Sequence, residues 1–225
     1  MELLAKLDAW RHRNSKLMKR KLRQADADRL GRWLGEDCSI ISNNCFGGRI
    51  CQDLDRPYNS PTVGLFFMVE DFMEFCSDLR HYLNDAEMTF IDRSRSENFN
   101  IKREGFWGHY PIALLDGKIE VHFLHYKTQD EAVEKWRRRS ERVNYDNIVV
   151  TCLQLYDIRP EDFEAFETIP FERKVFFTTE LHPGCDSEVR ISEDRHGGVG
   201  DGVRHTRRFY RGWLKKIKKD GKKKA

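Results

Sequence analysis

The sequence has no apolar run near the roughly 20 residues that cross a bilayer, so no transmembrane helix is expected. It also lacks the apolar stretch of a secretory leader. Residues 1–23 are charged throughout, which points to a protein made and kept in the cytosol. Its six cysteines fall in no CxxC pair and no short Cys/His zinc spacing. They read as reduced thiols, most of them buried, so neither a disulfide framework nor a metal ligand set is assigned. Also missing are the glycine pattern of dinucleotide-binding turns, the Walker loop, the G-x-S-x-G elbow, the H-E-x-x-H zinc helix and the kinase signatures. There is no internal repeat.

What is present is a hydrophilic chain, 39% apolar and 34% charged, whose 12% aromatic share still supplies a core. A length of 225 residues suits one domain with decorated ends. The net charge of +3 conceals a strong asymmetry. Residues 1–23 carry eight Lys/Arg against two acids, and residues 204–225 carry eleven against Asp220 alone. The remaining 180 residues therefore sit at −13, an acidic body with two basic ends. Such a body should repel nucleic acid, while the ends attract polyanions, including an anionic membrane surface.

Three segments follow: a basic amphipathic N-terminal segment over 1–35, an α/β domain over 36–182, and a Gly-rich loop with a basic aromatic tail over 183–225. Leu3, Leu4, Leu7, Trp10, Leu17, Met18 and Leu22 predict a basic helix continuing brokenly to Trp33. It either packs on the domain by its Leu stripe or meets a membrane or partner. In the tail, Phe209, Tyr210 and Trp213 either sit at the level of lipid headgroups or pack back on the domain. Apolar runs over 38–42 and 62–69 read as buried strands, with an amphipathic helix at about 71–83. Further strands are expected at 87–91, 112–115, 118–125, 148–155 and 174–178. Asp116-Gly117 marks a two-residue hairpin. The capping box Thr128 to Glu131 opens a helix to about 143 with Ala132, Val133, Trp136, Ser140 and Val143 buried, and a short helix follows at 160–167. Continuous apolar strands separated by helices favour an α/β sheet covered on both faces, mostly parallel, with one antiparallel hairpin.

Three constellations can carry chemistry. In the turn Ser42-Asn43-Asn44-Cys45-Phe46-Gly47-Gly48, Gly47 and Gly48 would let backbone N–H groups approach phosphate, and Asn43 and Asn44 would bond sugar hydroxyls. A tight turn with left-handed Asn is the plain alternative. In His122-Phe123-Leu124-His125-Tyr126, strand alternation separates the two histidines, so they should share no metal. His125, at the strand end, is the better general base; His122 reads as core. Arg138 and Arg142, four apart on one helix, form a fork suited to a diphosphate, or a solvated face paired with Glu134 and Glu141. Asp53-Leu54-Asp55 matches a metal motif at a spacing expected by chance in so acidic a chain.

Taken in order, residues 39–48, the segment Tyr58-Asn59-Ser60-Pro61-Thr62, residues 121–126, Trp136-x-Arg138-Arg139-x-x-Arg142 and Asn144-x-x-Asn147 resemble the bacterial exopolysaccharide-biosynthesis family known as domain-of-unknown-function family 1919. The similarity runs from about Ser39 to Thr178, leaving the basic ends outside. Phe46 stands where Trp is expected, and Cys51 where Tyr is. The resemblance implies a Rossmann-like three-layer sandwich and glycosyl or similar transfer in surface-polysaccharide synthesis, with a nucleotide sugar as donor and no assured divalent metal. Under that reading His125, with His122 behind it, is the catalytic candidate. Asn43, Asn44, Gly47, Gly48, Asn59, Ser60, Arg138 and Arg142 would bind substrate. A non-catalytic glycan-binding or accessory module is the competing expectation. Location is expected to be cytoplasmic, at the inner face of the membrane if the basic ends anchor it there.

Overall fold

The computed structural model describes residues 2–97, 99, 110–154, 158–194 and 198–223, with side chains from Asn14 to Lys222. A 33-residue helix, α1 (Glu2–Leu34), leads into β1 (Ser39–Ser42) and α2 (Phe46–Asp53). Then come α3 (Val69–Ser77), α4 (Leu79–Asn84), β2 (Met88–Ile91), β3 (Ile112–Leu115) and β4 (Ile119–His122). The chain continues through α5 (Gln129–Ser140), β5 (Ile148–Leu153), α6 (Pro160–Thr168), β6 (Lys174–Thr178), β7 (Glu188–Arg190) and α7 (Thr206–Lys223).

The strands form a four-stranded, fully parallel sheet in the order β1-β5-β6-β7 and a three-stranded antiparallel sheet, β2-β3-β4. Residues 65–67 stitch the two together. Phe66 exchanges backbone hydrogen bonds with His122 of β4, and the Phe67 N–H donates to the Asn43 carbonyl just past β1. The apolar run at 62–69, expected to be a strand, is thus reduced to one bridge between the sheets.

Alternation along β5 shows why both faces are covered. Ile148, Val150 and Cys152 join one buried cluster with α3, α4, α5 and α6. Val149 and Leu153 join a second cluster with α1, α2 and α7. Two helical layers enclosing the parallel sheet make the α/β, Rossmann-like three-layer sandwich that the sequence pattern and the resemblance implied, with the antiparallel strands in a second sheet.

Several local signals act as expected. Asp116 and Gly117 both take positive φ (51° and 65°), as a type I′ turn requires, and join β3 to β4. Thr128 accepts from the Glu131 N–H at 3.1 Å, although Glu131 reaches back to Lys127 and not to Thr128. Val133 is 44% exposed, off the buried stripe where it was expected. The helix expected at 71–83 breaks at Asp78, whose carboxylate caps α4 through the His81 N–H.

At the C-terminal end the packed alternative holds. Phe209, Tyr210 and Trp213 are not available to lipid headgroups but are buried against Phe46, Phe177 and Trp33. Ala27, Leu30 and Leu34 of α1 sit in the same cluster. Both ends are therefore structural parts of one sheet face. α1 is unbroken in backbone, and Gly35 ends it at φ +81°. Arg56 donates to the Gly31 and Gly35 carbonyls there, and Arg173 to those of Trp33 and Leu34. Leu3, Leu4, Leu7 and Trp10 lie outside the described side chains. The Gly-rich stretch expected as a loop contains the short edge strand β7.

Candidate functional site

The chain leaves β1 toward the antiparallel sheet on one side and returns as β5 on the other. The carboxyl ends of β1 and β5 are therefore a switch in topology, where open α/β sheets leave a crevice. Asn43 closes that crevice. Its amide donates to the Leu153 carbonyl at 2.9 Å and accepts from the Leu153 N–H at 3.0 Å, so a fully buried side chain locks the two strands. Asn44 accepts from the Phe46 N–H at 2.9 Å, initiating α2. Gly202 packs over the same edge, where an added Cβ would come within 2.9 Å of Leu153 and 3.1 Å of Phe46.

The two glycines serve packing. Both lie inside α2 and not in a turn. A Cβ on Gly47 would sit 2.9 Å from Ser42, and one on Gly48 would sit 2.9 Å from Val63. Their smallness lets α2 lie close on β1 and brings Val63 against the helix. Ser60 is buried and shares a 2.9 Å hydrogen bond with Thr62, whose hydroxyl accepts from the Ser42 N–H. Asn59 is half-buried beside it, outside the cavities described below.

What remains open lies on the far side of α2. A cavity of about 370 Å³ is bounded by α2, the 63–64 turn, the end of β4 and α5. Cys45, Arg49, Tyr58, His125, Tyr126, Lys135, Arg139 and Val203 are among its walls. His125 is exposed here, and its ring makes no hydrogen bond to the described residues. Its backbone N–H donates to the Gly64 carbonyl at 2.9 Å. Gly64 has φ +80°, and a Cβ there would meet Tyr126 and His125 at 3.3 and 3.4 Å, so glycine sets the histidine's position. Arg139 donates through Nη1 to the Val63 carbonyl (2.9 Å) and the Tyr126 hydroxyl (2.6 Å), which leaves Nε and Nη2 to donate to a ligand. Lys135 pairs with Glu131 at 2.5 Å, and Arg49 with Asp53 at 2.7 Å. Burial, and less so Asp201, pushes the Cys45 thiol up to about 11, so it is a neutral wall and no thiolate nucleophile.

The structure thus gathers His125 and the flanks of the Asn/Gly segment but not the Arg138/Arg142 fork. Arg138 is exposed and paired with Glu134 at 3.3 Å, and Arg142 is exposed as well. The guanidinium on the cavity is that of Arg139. It follows Trp136 by three positions and flanks the buried stripe, whereas Arg138 turns away at about 100° per residue and Arg142 lies past the end of α5, so the two do not form a fork on one helix. That phase was the available signal for Arg139. Tyr126 and Lys135 carried no comparable signal.

His122 has a different setting. It is fully buried, stacks on Phe66 at 4.2 Å, and bonds Glu120 at 2.6 Å. Burial raises the Glu120 pKa, but hydrogen bonds from His122, the Arg95 N–H and Ser94 outweigh it and hold the carboxyl below its ordinary range. Asp53 of the Asp-x-Asp match is occupied by Arg49, Arg23 and Tyr210.

A larger groove, about 930 Å³, lies between α3 and α6. Its cations are matched by acids: Arg159 with Glu70, Glu161 and Asp162, Lys118 with Glu74, and Arg95 with Asp71 and Glu120. In the smaller cavity Arg49 and Lys135 are likewise paired, with Asp53 and Glu131, but Arg139 pairs with no acid, and no acidic side chain lines the wall among the described residues, which leaves its charge to attract an anion.

Among known proteins, the chain matches the family model described as "Domain of unknown function (DUF1919)" over residues 13–211. It is 32% identical over 164 residues to an uncharacterized protein of Haemophilus influenzae, covering 72% of each chain. The chain belongs to the DUF1919 family. The match takes in most of α1 and the first turns of α7, wider than the 39–178 span of the sequence resemblance and in keeping with the burial of both ends.

Proposed function

We propose that this DUF1919 protein is a cytoplasmic transferase of surface-polysaccharide synthesis that takes a nucleotide-activated sugar in the His125 cavity. The observation that carries this reading is the meeting of an unengaged imidazole with Arg49, Lys135 and Arg139 in an acid-free pocket at the carboxyl edge of a Rossmann-like sheet. Arg139 and Lys135 neutralise the leaving diphosphate. His125 takes the acceptor hydroxyl's proton as that oxygen bonds to the anomeric carbon. The bond from this carbon to the donor phosphate breaks, and its electron pair leaves on the diphosphate.

Calorimetry or thermal shift against UDP-, GDP-, ADP- and CMP-sugars, with and without Mg²⁺ or Mn²⁺, tests donor use. No shift with any of them sinks the reading. A non-catalytic glycan-binding module is the second reading, favoured by the Tyr58 and Tyr126 rings on the cavity wall. A His125→Ala variant that fully restores polysaccharide in cells lacking the protein supports the module.

No helix among the described residues is long and apolar enough to cross a membrane. Contact with the inner face of a membrane is part of this proposal and rests on the basic surfaces alone, because the tail aromatics are buried.

A further inference from the structure

The basic ends are far apart in sequence, yet α1 and α7 pack against each other. On α1, Lys16, Lys19, Arg20 and Arg23 follow at i, i+3, i+4 and i+7, a spacing that places all four on one helix face. On α7, Arg207, Arg208 and Arg211 share a face, and Arg204 stands in the turn just before the helix. Both sets line the same groove, about 520 Å³, and no acid is on its wall among the described residues.

A solvated basic surface normally borrows neighbouring acids, and here only part of the charge is met. Arg23 pairs with Asp53, Arg204 with Asp201 and Arg207 with Asp26. Arg208 is spent on the Ser192 and Val199 carbonyls. Lys16, Lys19, Arg20 and Arg211 pair with no acid among the described residues, while the body they sit on is acidic. The α1 stripe spans about 10 Å along the helix axis, longer than one phosphate needs.

We propose that the α1/α7 groove is a second anion site, distinct from the His125 cavity, that binds a group carrying two or more linked phosphates. Such a group reaches this chain free in solution or on a lipid, and the chemistry recognised is the same. The two sites adjoin: Val203 lines the His125 cavity and the next residue, Arg204, lines the groove. Binding at the groove does not depend on the transferase reading, and the test below measures binding alone.

The full chain is titrated by calorimetry with inorganic tripolyphosphate at low and high salt. Saturable binding that weakens with salt is expected. Lys19→Glu/Arg20→Glu/Arg211→Glu should lose at least tenfold in affinity. Lys21→Glu/Lys218→Glu/Lys222→Glu, with the same charge change off the groove, should keep it, and matching melting curves confirm that both variants fold. Vesicles of phosphatidylcholine with diacylglycerol pyrophosphate separate the sources. Displacement of tripolyphosphate by the vesicles assigns the lipid-borne form, and lack of displacement assigns the free form. The proposal is overturned if tripolyphosphate does not bind, if the two triple variants bind alike, if orthophosphate competes equally well, or if duplex DNA binds more tightly than tripolyphosphate.

Discussion

His122 and His125 stand three residues apart and have opposite surroundings. His122 ends β4 with its side chain inside the molecule, held by Glu120 two positions earlier on the same strand face. Around them Ser94, the Arg95 N–H and the half-buried Asp71 complete a polar knot under Phe66 and Phe99, with the Arg95 side chain exposed. His125 lies past the strand, where Gly64 admits its backbone and the imidazole faces a cationic cavity. The same side chain thus serves cohesion in one place and is left available in the other. Buried polar groups hold a fold only when all are satisfied, whereas a working base must keep one nitrogen free.

The sharpest break of this contrast is expected at Glu120. Glu120→Ala strips His122, Ser94 and the Arg95 N–H of their acceptor at once, and removing one partner of a buried pair costs about 3–5 kcal/mol. Urea unfolding checks it. A loss under about 1 kcal/mol would mean that the knot is not cohesive.

His125→Ala should do the reverse. Stability should stay within about 0.5 kcal/mol, as for other exposed sites. Transfer should fall by about 10²–10⁴-fold with donor affinity kept, as removal of a general base does. Product formation and donor titration on the same preparation measure both. Donor affinity lost along with turnover would make His125 a binding residue instead.

A smaller effect is expected at Arg139. Arg139→Lys keeps the charge but loses the fork that serves Val63, Tyr126 and a ligand together. Donor affinity should drop about tenfold, roughly 1.4 kcal/mol, while Arg138→Lys changes nothing. Equal effects from the two would return the diphosphate role to the exposed Arg138.

Much of this contrast was legible in the sequence. The two histidines were told apart, but the strand expected to reach His125 ends at His122, so a turn and not strand alternation separates them; Asp116-Gly117 located the hairpin that holds β4. Continuous apolar strands between helices gave the sandwich. Other features depend on partners distant in sequence. Asn43 reads as a sugar-binding amide until Leu153, 110 residues later, takes both its hydrogen bonds. Gly47 and Gly48 read as a phosphate turn, but helix-on-strand contact explains them. β7 is three residues, two of them charged, on a sheet edge, and no period reveals so short a strand. The aromatic tail read equally as an anchor or as core, and only the facing Phe46, Phe177 and Trp33 decide for core.

The effect that isolates the electrostatics of Asp71 is in the pH dependence of stability. Burial pushes the Asp71 carboxyl from 3.8 up to about 7, against the opposing pull of Arg95, with Glu120 and Glu70 adding to the rise. In the unfolded chain the group loses its proton near pH 4, so between about pH 4 and 7 the folded state holds a proton that the unfolded state has released. Stability from this group is therefore full below pH 4, declines as pH rises to about 7, and is flat above. Glu120 works in the other direction and below pH 4.5, because its folded pKa is lowered, so the two windows meet only near pH 4. Asp71→Asn mimics the protonated form at every pH. Its stability relative to the unmodified protein should rise steadily from pH 4.5 to 7 and then level off, read as the difference in urea midpoints on one pH series. A difference that is constant with pH would mean that Asp71 titrates as an ordinary surface carboxylate, and the polar knot would then comprise Glu120, His122, Ser94 and the Arg95 N–H alone.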